Sequence, residues 1–495
     1  MNLDVKKPLS SLAALALLAP IGCEQAPPPQ FRANMVKVVA NETSDAYQQE
    51  IANVLGGMFG TPDKPFAFPE SGLDQQRLDL AAGAAWSDKE GVTHGLYRLH
   101  CVHCHGITGD GRGPTARFLN PYPRDYRQGV FKFKNTYNPA KPTDADLHRV
   151  MMNGVPGTAM PSFSLLPNSE VESLIEYVKY LSIRGEMEQK LIDYVYNELG
   201  ETEKLGPDGQ PILDKDGKPE MMVLPLDPVA SLALAVEPSE FADAIEKAAE
   251  NQSEKARAEA EEKAAPLREM AQELRARPVI IEELLAEIMA PWQEAAEQTV
   301  VPEDASIPAD NRTPEEVAAS AAKGRELFYG TKANCFTCHG PTGLGDGQQT
   351  DYDVWAKEHV DFDKGITQLS ESIAEREKAE EISDEEEAAL ERDRELLAQR
   401  EAVAATFYPI RNAIPRNMRK GVYRGGRRRI DIFSRVHQGI AGTPMPGVGA
   451  ATPGAQGTLS EEEIWNIVDY VLSLPYEPAS NPQPALRLNE EPIAN

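Results

Sequence analysis

The sequence of 495 residues is poor in basic residues, in cysteines and in long apolar runs. Its 50 Lys and Arg stand against 78 Asp and Glu, a formal charge of −28. This balance argues against nucleic-acid binding, which requires a basic face. The apolar run at residues 9–21 is well short of the ~20 residues of a membrane-spanning helix, and no other run is long enough. Because one core rarely spans such a chain, two or three domains are expected.

The first 23 residues have the layout of a secretory signal, with Lys6 and Lys7 ahead of the apolar run. The segment Ala-Pro-Ile-Gly-Cys at 19–23 resembles a bacterial lipoprotein signal, in which the cysteine, here Cys23, becomes the lipidated first residue. Pro20 stands where that family usually has an aliphatic residue, so ordinary cleavage that leaves a free Cys23 is the alternative. The sequence therefore predicts export to the periplasmic side of a bacterial membrane, a lipid anchor at Cys23, and a tether and extension over residues 24–73.

The other four cysteines lie in two Cys-x-x-Cys-His patterns, at residues 101–105 and 335–339. This spacing places two thiols one helical turn apart, where both can add to the vinyl groups of a haem, and sets the following imidazole under the iron. A Cys-x-x-Cys alone could also be a redox dithiol or half of a zinc site, but the histidine and the duplication favour c-type haem. The predicted attachment sites of two haems c are Cys101, Cys104, Cys335 and Cys338, and the predicted proximal ligands are His105 and His339.

The sequence around each pattern is repeated, which indicates two copies of one module. The matching segments are 109–111 with 345–347, 123–131 with 415–423, and 146–161 with 431–446. An amphipathic terminal helix is predicted after each copy, beginning near Ser169 and near Ser460. Ser460 and Glu463 form a capping-box pattern at the start of the second.

Each copy ends in a Gly-Thr-x-Met-Pro segment, whose methionine is the predicted sixth ligand of the iron. Met160 and Met445 are the side chains capable of iron ligation that align across the repeat in this segment. A thioether is a soft, weakly basic ligand that favours ferrous iron, so both haems are expected to have raised potentials. The ordinary role of a methionine is core packing, and His437, which aligns with Met152, is the rival ligand in the second copy.

With these motifs, each copy resembles a class I cytochrome c domain, over residues 74–184 and 315–476. The resemblance implies a helical fold wrapped around a covalently attached haem, His/Met ligation, and no catalysis by the module itself. It also implies that a proline carbonyl accepts a hydrogen bond from the proximal imidazole. Pro114 can take this role in the first domain, whereas the second has glutamines in that stretch, so Pro341 or another carbonyl must replace it.

Four arginines of the repeated segments are candidate partners of the haem propionates, because a guanidinium can bind a carboxylate through two donors. The alternative is ordinary surface charge. The four are Arg124, Arg127, Arg416 and Arg419.

Two additions extend the repeated modules, and the predicted fold is all-α: two class I cytochrome c-like domains joined by a largely helical acidic linker. The linker, residues 185–314, is expected to break at Pro266 and Pro278 and to pack on itself or on the modules, with a self-pairing coiled coil as the alternative. An acidic insertion in the second domain, about residues 351–407, is predicted to form a helical hairpin, with a solvated arm as the alternative. Residues 477–495 form a C-terminal tail.

The acidity of the chain belongs to these additions, whereas the domain cores are basic. Residues 95–184 hold 11 Lys and Arg against 7 Asp and Glu, while residues 185–319 hold 12 against 32 and residues 351–407 hold 7 against 18. We expect basic residues beside the haem edges to steer acidic partners, and the acidic insertion to compete for the same surfaces. The basic residues are Lys132, Lys134, Arg427, Arg428 and Arg429.

These features predict a dihaem c-type cytochrome that transfers single electrons between respiratory-chain partners and has no enzyme activity of its own. The alternatives are a dihaem peroxidase or haem-containing oxidoreductase subunit, and a scaffold subunit of a respiratory complex. A peroxidatic iron needs an open distal position, whereas a methionine is expected at both irons here. The expected partners are other redox proteins and, through Cys23, a membrane.

Overall fold

The computed structural model describes residues 27–215, 217–309, 311–378 and 383–477. The predicted signal with Cys23, and the tail beyond Glu477, lie outside the described residues. Within these ranges the regular structure is helical apart from three short antiparallel strand pairs, which confirms the predicted all-α class. None of the described helices combines the length and the apolarity needed to cross a bilayer.

The N-terminal extension contains helices that the sequence analysis did not assign. The elements ahead of the first Cys-x-x-Cys-His pattern are α1 (Met35–Ala40), α2 (Asp45–Phe59), β1 (Gly60–Thr61), β2 (Lys64–Pro65), α3 (Gln75–Ala81), β3 (Trp86–Ser87), β4 (Thr93–His94) and α4 (Leu96–His100). The hydroxyl of Ser44 accepts a hydrogen bond from the Tyr47 amide and caps α2, whose residues Ile51 and Leu55 are buried. The extension is therefore part of the fold and not only a tether.

The first domain continues with α5 (Val102–His105), α6 (Asp144–Asn153) and α7 (Asn168–Glu198). Thr143 and Asp146 form a capping box at the start of α6, with 3.1 Å from the Asp146 amide to the Thr143 hydroxyl. Helix α7 begins next to the predicted Ser169 and runs on through residue 184, where the domain was expected to end. The first domain and the linker are thus joined by one continuous helix.

The linker opens with a strand pair, β5 (Thr202–Glu203) and β6 (Met221–Met222), and continues as α8 (Pro228–Leu234), α9 (Val236–Ala249) and α10 (Glu254–Gln293). The predicted breaks at Pro266 and Pro278 are wrong, because both prolines lie inside α10, a single helix of 40 residues. An interior proline costs about 3 kcal/mol in an isolated helix. Here α10 packs on α9 and on α7, burying Leu267 and Ile281 beyond each proline, and these contacts offset that cost.

The second domain contains α11 (Pro314–Tyr329), α12 (Phe336–His339), α13 (Val354–Arg376), α14 (Asp384–Ala404), α15 (Arg429–Gln438) and α16 (Glu461–Ser473). The predicted capping box is confirmed, with 3.3 Å from the Glu463 amide to the Ser460 hydroxyl. Helices α11 and α16 cross closely at Gly324, where a Cβ atom would lie 1.9 Å from the Asn466 carbonyl oxygen. Single 3₁₀ turns complete the described chain at Pro69–Ser71, Ala116–Phe118, Tyr126–Gln128, Asp304–Ser306, Met418–Lys420 and Leu474–Tyr476.

The insertion forms the predicted helical hairpin, α13 and α14, but the hairpin packs on the first domain. Phe362 of α13 is buried in the apolar core of that domain. After the hairpin, the Arg411 guanidinium donates to the Leu119 carbonyl at 2.6 Å, and the Tyr122 hydroxyl donates to the Pro409 carbonyl at 3.1 Å. The alternative of a solvated arm is therefore wrong.

Two main apolar cores position the candidate sites. The first surrounds α7 and draws on the N-terminal extension, on Ile281 and Leu285 of the linker and on Phe362 of the insertion. The second lies between α11, α15 and α16, around Phe328 and Phe433. The first site is thus held by residues from four segments of the chain, whereas the second is held almost wholly by its own domain.

Candidate haem sites

The first Cys-x-x-Cys-His pattern forms the single turn α5, which Cys101 precedes. The His105 amide donates to the Cys101 carbonyl at 2.9 Å, so both thiols and the imidazole belong to one turn. Cys101 is buried, and burial raises the pKa of its thiol to about 12. Cys104 lies at the rim, with its Sγ 3.4 Å from the Thr115 hydroxyl.

The ring of His105 is oriented by a backbone carbonyl. Its Nδ1 lies 3.1 Å from the Arg124 carbonyl oxygen, to which Nδ1–H donates, so Nε2 is the unprotonated nitrogen and accepts from the Tyr126 hydroxyl at 3.2 Å. Burial lowers the pKa of His105 to about 4, which keeps the imidazole neutral, as a metal ligand must be. The acceptor is not Pro114, as the family resemblance implied. Arg124 lies in the repeated segment 123–131, but nothing in that repeat indicated that its carbonyl would be the acceptor.

The second site repeats this arrangement with one difference. The His339 amide donates to the Cys335 carbonyl at 2.9 Å, and burial raises the pKa of the Cys335 thiol to about 12. Burial also lowers the pKa of His339, and the nearby Arg416 carbonyl partly offsets this effect. However, His339 Nδ1 and the Arg416 carbonyl, which is equivalent to the Arg124 carbonyl, are less well aligned for a hydrogen bond than their counterparts in the first domain. The proximal imidazole is therefore held less firmly in the second domain.

The two methionine segments share their hydrogen bonds. In the first, the Val155 amide donates to the Met160 carbonyl at 3.1 Å and the Met160 amide donates to the Thr158 hydroxyl at 3.1 Å. In the second, the Ile440 amide donates to the Met445 carbonyl at 3.1 Å. The Met445 amide donates to the hydroxyl of the equivalent threonine at 3.3 Å. Met160 and Met445 thus occupy equivalent places in two loops of one geometry.

His437, the rival ligand in the second domain, is buried on α15. Its Nδ1 lies 2.5 Å from the Gln438 side-chain nitrogen, and its ring is 6.0 Å from that of Tyr137 in the first domain. Gly449 packs directly against the imidazole, because a Cβ atom there would lie 2.3 Å from it. The ring is thus enclosed by neighbours outside the methionine segment.

The four candidate arginines divide into two pairs. Arg127 forms an ion pair with Asp125 at 2.7 Å, and Arg419 forms one with Glu477, so both guanidinium groups already have carboxylate partners. Arg124 and Arg416 form no ion pair with any described residue. The Arg124 guanidinium lies 3.3 Å from the centre of the Trp355 ring.

Equivalent segments of the two domains face each other reciprocally. A Cβ atom at Gly442, in the Met445 segment, would lie 2.9 Å from Val130 of the first domain. A Cβ atom at Gly157, in the Met160 segment, would lie 3.2 Å from Val422 of the second. Val130 aligns with Val422 and Gly157 with Gly442, and such reciprocity is the property of a two-fold interface.

A third contact lies just after the repeated segments, since a Cβ atom at Gly425 would lie 3.2 Å from the ring of Phe133. Alongside it, the Arg435 guanidinium donates to the Lys134 carbonyl and to the Asn135 side chain, each at 2.7 Å. The sequence alone contained no signal for this interface.

Four cations meet where the domains face each other: Arg124, Lys132, Arg416 and Arg424. Burial, and then the neighbouring Arg124, lowers the pKa of Lys132 to about 8. In the described ranges this group forms one ion pair, 2.8 Å from Lys132 to Asp353 of the insertion. The interface therefore carries an excess of partly buried positive charge.

The five residues expected to steer acidic partners all form ion pairs or hydrogen bonds within the fold. Lys134 is buried, and its ammonium group donates to the Ala140 carbonyl at 2.6 Å and the Tyr137 carbonyl at 3.0 Å, so the expected steering role is wrong for this residue. Arg428 forms an ion pair with Asp431 at 2.7 Å but stays exposed, as does Arg427 beside it.

The residues of both sites fit a covalently attached haem. Each site combines two thiols one turn apart with a histidine whose pKa is lowered by burial, fully buried in the first site and half-buried in the second, which is the donor set that c-type haem requires. The partly buried cations match the chemistry of propionate groups.

Comparison with known proteins agrees with this chemistry. Residues 94–182 and 321–475 match the family model of cytochrome c. Through these two regions the chain belongs to the cytochrome c family, whose domains bind haem c covalently and transfer electrons through its iron.

No curated protein matches the chain. Among solved structures, a chain of a reducing HAO-like protein complex from Kuenenia stuttgartiensis is similar, with 17% identity and a TM-score of 0.38. The similarity covers 79% of this chain and 97% of that one.

Proposed function

We propose that this protein is an exported dihaem cytochrome that passes single electrons between redox partners of a respiratory chain through both of its haems. The observation that carries the proposal is the reciprocal interface, in which each methionine segment lies against the other domain. Because electron-transfer rates fall steeply with distance, sites on facing segments can exchange electrons within one molecule. The partners are other redox proteins of the same compartment.

The two haems are held by Cys101 with Cys104 and by Cys335 with Cys338. His105 and His339 are the proximal ligands, and Met160 and Met445 are the distal ones. The neutral imidazoles and the matched methionine loops support this assignment. When bound, the haem supplies the iron that takes up and releases the electron, while the protein orients the histidine and excludes water.

The cations at the interface bind the haem propionates. Arg124 and Arg416 are the main candidates, because neither has a carboxylate partner among the described residues, whereas Arg127 and Arg419 are already paired. Lys132 and Arg424 add to the positive charge. Propionates from both sites would neutralise this cluster, which is costly to bury uncompensated.

We further propose that the protein has no enzyme activity of its own. Both methionine segments have the same closed hydrogen-bond pattern, so neither domain offers a differently built distal side, as a dihaem peroxidase would require. Export and a lipid anchor at Cys23 would keep the two domains at the periplasmic face of the membrane.

The proposal is tested on the full chain, expressed in a bacterium that matures c-type cytochromes. We expect two haems per chain, and one after replacing either Cys101 with Cys104 or Cys335 with Cys338 by alanine. An electron delivered by a photoreductant should then redistribute between the two haems at a rate that is independent of protein concentration. A rate that rises with concentration would contradict an internal electron relay, and rapid consumption of peroxide would contradict the proposed absence of enzyme activity. A Cys23→Ser variant should leave the membrane fraction for the soluble periplasm, and continued membrane association would contradict the anchor.

A further inference from the structure

We infer that the insertion of the second domain tunes the haem of the first, with Trp355 as the positioning residue. Trp355 fixes the backbone at 124–125, whose Arg124 carbonyl orients His105. This inference rests on the proposed function, because it concerns the potential of one of two haems.

Trp355 contacts the side chain of Arg124 and the backbone of Asp125. Its ring lies under the Arg124 guanidinium, with 3.3 Å from the guanidinium carbon to the ring centre. Its indole Nε1–H donates to the Asp125 carbonyl at 3.3 Å. The Arg124 carbonyl, which lies between these two contacts along the chain, accepts the Nδ1–H of His105 at 3.1 Å. Trp355 thus acts on the proximal ligand His105 through one intermediate, the backbone at residues 124–125.

The start of α13 is anchored so that Trp355 cannot easily move. The carboxylate of Asp353 caps the helix, accepting from the Ala356 amide at 3.1 Å, and also pairs with Lys132 at 2.8 Å. One turn later, the Gln128 side chain donates to Glu358 at 2.7 Å. The first turns of α13 are therefore bonded to Gln128 and Lys132, in the segment of the first domain that follows Arg124.

Trp355 also touches the second site. The Val354 amide donates to the Gly442 carbonyl at 3.0 Å, and a Cβ atom at Gly442 would lie 2.9 Å from the Trp355 ring. Gly442 belongs to the segment that carries Met445. The insertion therefore spans the interface between the two haem sites.

Among the described residues, the second domain shows no equivalent of the Trp355 contacts on its own proximal side. The Arg416 side chain donates to the Val422 carbonyl of its own domain at 3.1 Å, and the Arg416 carbonyl is a poorly aligned acceptor for His339 Nδ1. A hydrogen bond from the proximal imidazole raises its basicity and so favours ferric iron. We therefore assign the lower potential to the first haem. The insertion is one cause of the difference between the two potentials.

The test is a redox titration of holoprotein variants that resolves the two haems. Trp355→Phe keeps an aromatic ring but removes the indole donor, and it should raise the potential of the first haem more than that of the second, whose methionine segment Trp355 meets only at Gly442. Trp355→Ala should raise it further. Phe362→Leu is the matched control, because it loosens the same helix in the core without touching residues 124–128, and it should leave both potentials in place.

A second readout does not depend on electron transfer. Amide hydrogen exchange at residues 124–129 should accelerate in Trp355→Ala and Trp355→Phe but not in Phe362→Leu. Unchanged exchange and an unchanged first potential in both Trp355 variants would overturn the inference, as would equal shifts of both haems in Trp355→Ala with no effect of Trp355→Phe. A wild-type chain with a single haem would instead refute the proposed function, so the two failures are distinguishable.

Discussion

The two cytochrome domains share their attachment turns and methionine segments and differ around the proximal histidine. In the first, the His105 ring is tied to the Arg124 carbonyl, and the insertion supports that carbonyl from outside. In the second, the half-buried His339 ring faces the equivalent Arg416 carbonyl in a less favourable hydrogen-bond geometry. A duplicated module can thus keep its ligands in place while added segments make the two sites unequal, and unequal sites give an electron relay a direction.

The largest expected effect comes from removing a distal ligand. Met160→Ala and Met445→Ala should each leave haem attachment intact, because attachment depends on the cysteines, but vacate the sixth position of one iron. The potential of that haem should fall and small ligands should bind to it, as absorption spectra and a redox titration would record.

The same experiment decides the ligand of the second domain. An unchanged spectrum in Met445→Ala would show that another side chain ligates the iron, and His437→Ala would then be the informative variant. If Met160→Ala and Met445→Ala change the spectra alike, the shared geometry of the two methionine loops reflects ligation by methionine in both domains.

Each domain has a glycine packed against neighbouring backbone, and replacing it should destabilise that domain alone. Gly324→Ala would place a Cβ atom 1.9 Å from the Asn466 carbonyl at the crossing of α11 and α16, and Gly185→Ala would place one 2.3 Å from the Arg127 Cα atom. We expect each to lower the free energy of unfolding by about 1–3 kcal/mol, in the second and first domain respectively. Denaturant unfolding followed at each haem would measure this.

The matched control is Gly57→Ala in α2, where nothing lies within 4 Å of the added atom. It should be neutral or stabilising by up to about 1 kcal/mol, because alanine suits a helix better than glycine does. Strong destabilisation by this variant would show that glycine substitution as such, and not the close contacts, causes the losses.

Local patterns in the sequence predicted the parts of the sites that depend on neighbouring residues. The Cys-x-x-Cys-His turns, the aligned methionines and the Ser460 capping box are all of this kind. Other features depend on residues distant in the sequence. They are the Arg124 carbonyl as acceptor for His105, the continuity of α10 through Pro266, and the position of Trp355 against the first domain. These features follow from burial against other elements, which neither periodicity nor spacing records.

A pH titration separates the domains further, because Lys134 is buried in the first domain whereas no described lysine of the second domain is buried. Burial lowers the pKa of Lys134 from 10.5 in the unfolded chain to about 8. Between these values the unfolded state binds more protons, so the free energy of unfolding should rise with pH, by at most ~1.4 kcal/mol per pH unit. Lys134→Met should flatten this rise in the first domain alone, and an unchanged slope would contradict the assignment.

The smallest expected effect concerns charge at the interface, where Asp353 partly neutralises the cations of the first domain. Asp353→Asn should leave more positive potential around Lys132, whose side chain is 17% exposed, and so speed oxidation by the anionic hexacyanoferrate(III) ion. The gain should stay below about tenfold and vanish at high salt, since the Debye length is only ~8 Å at physiological ionic strength. Oxidation by a cationic oxidant should be slowed instead, which separates an electrostatic cause from a change in potential.

Asp361→Asn, on the exposed face of the same helix and paired with Lys364, is the control that removes an equal charge elsewhere. Equal responses of the two variants would mean that the acidic insertion acts through total charge, and that its position over the first domain has no electrostatic role.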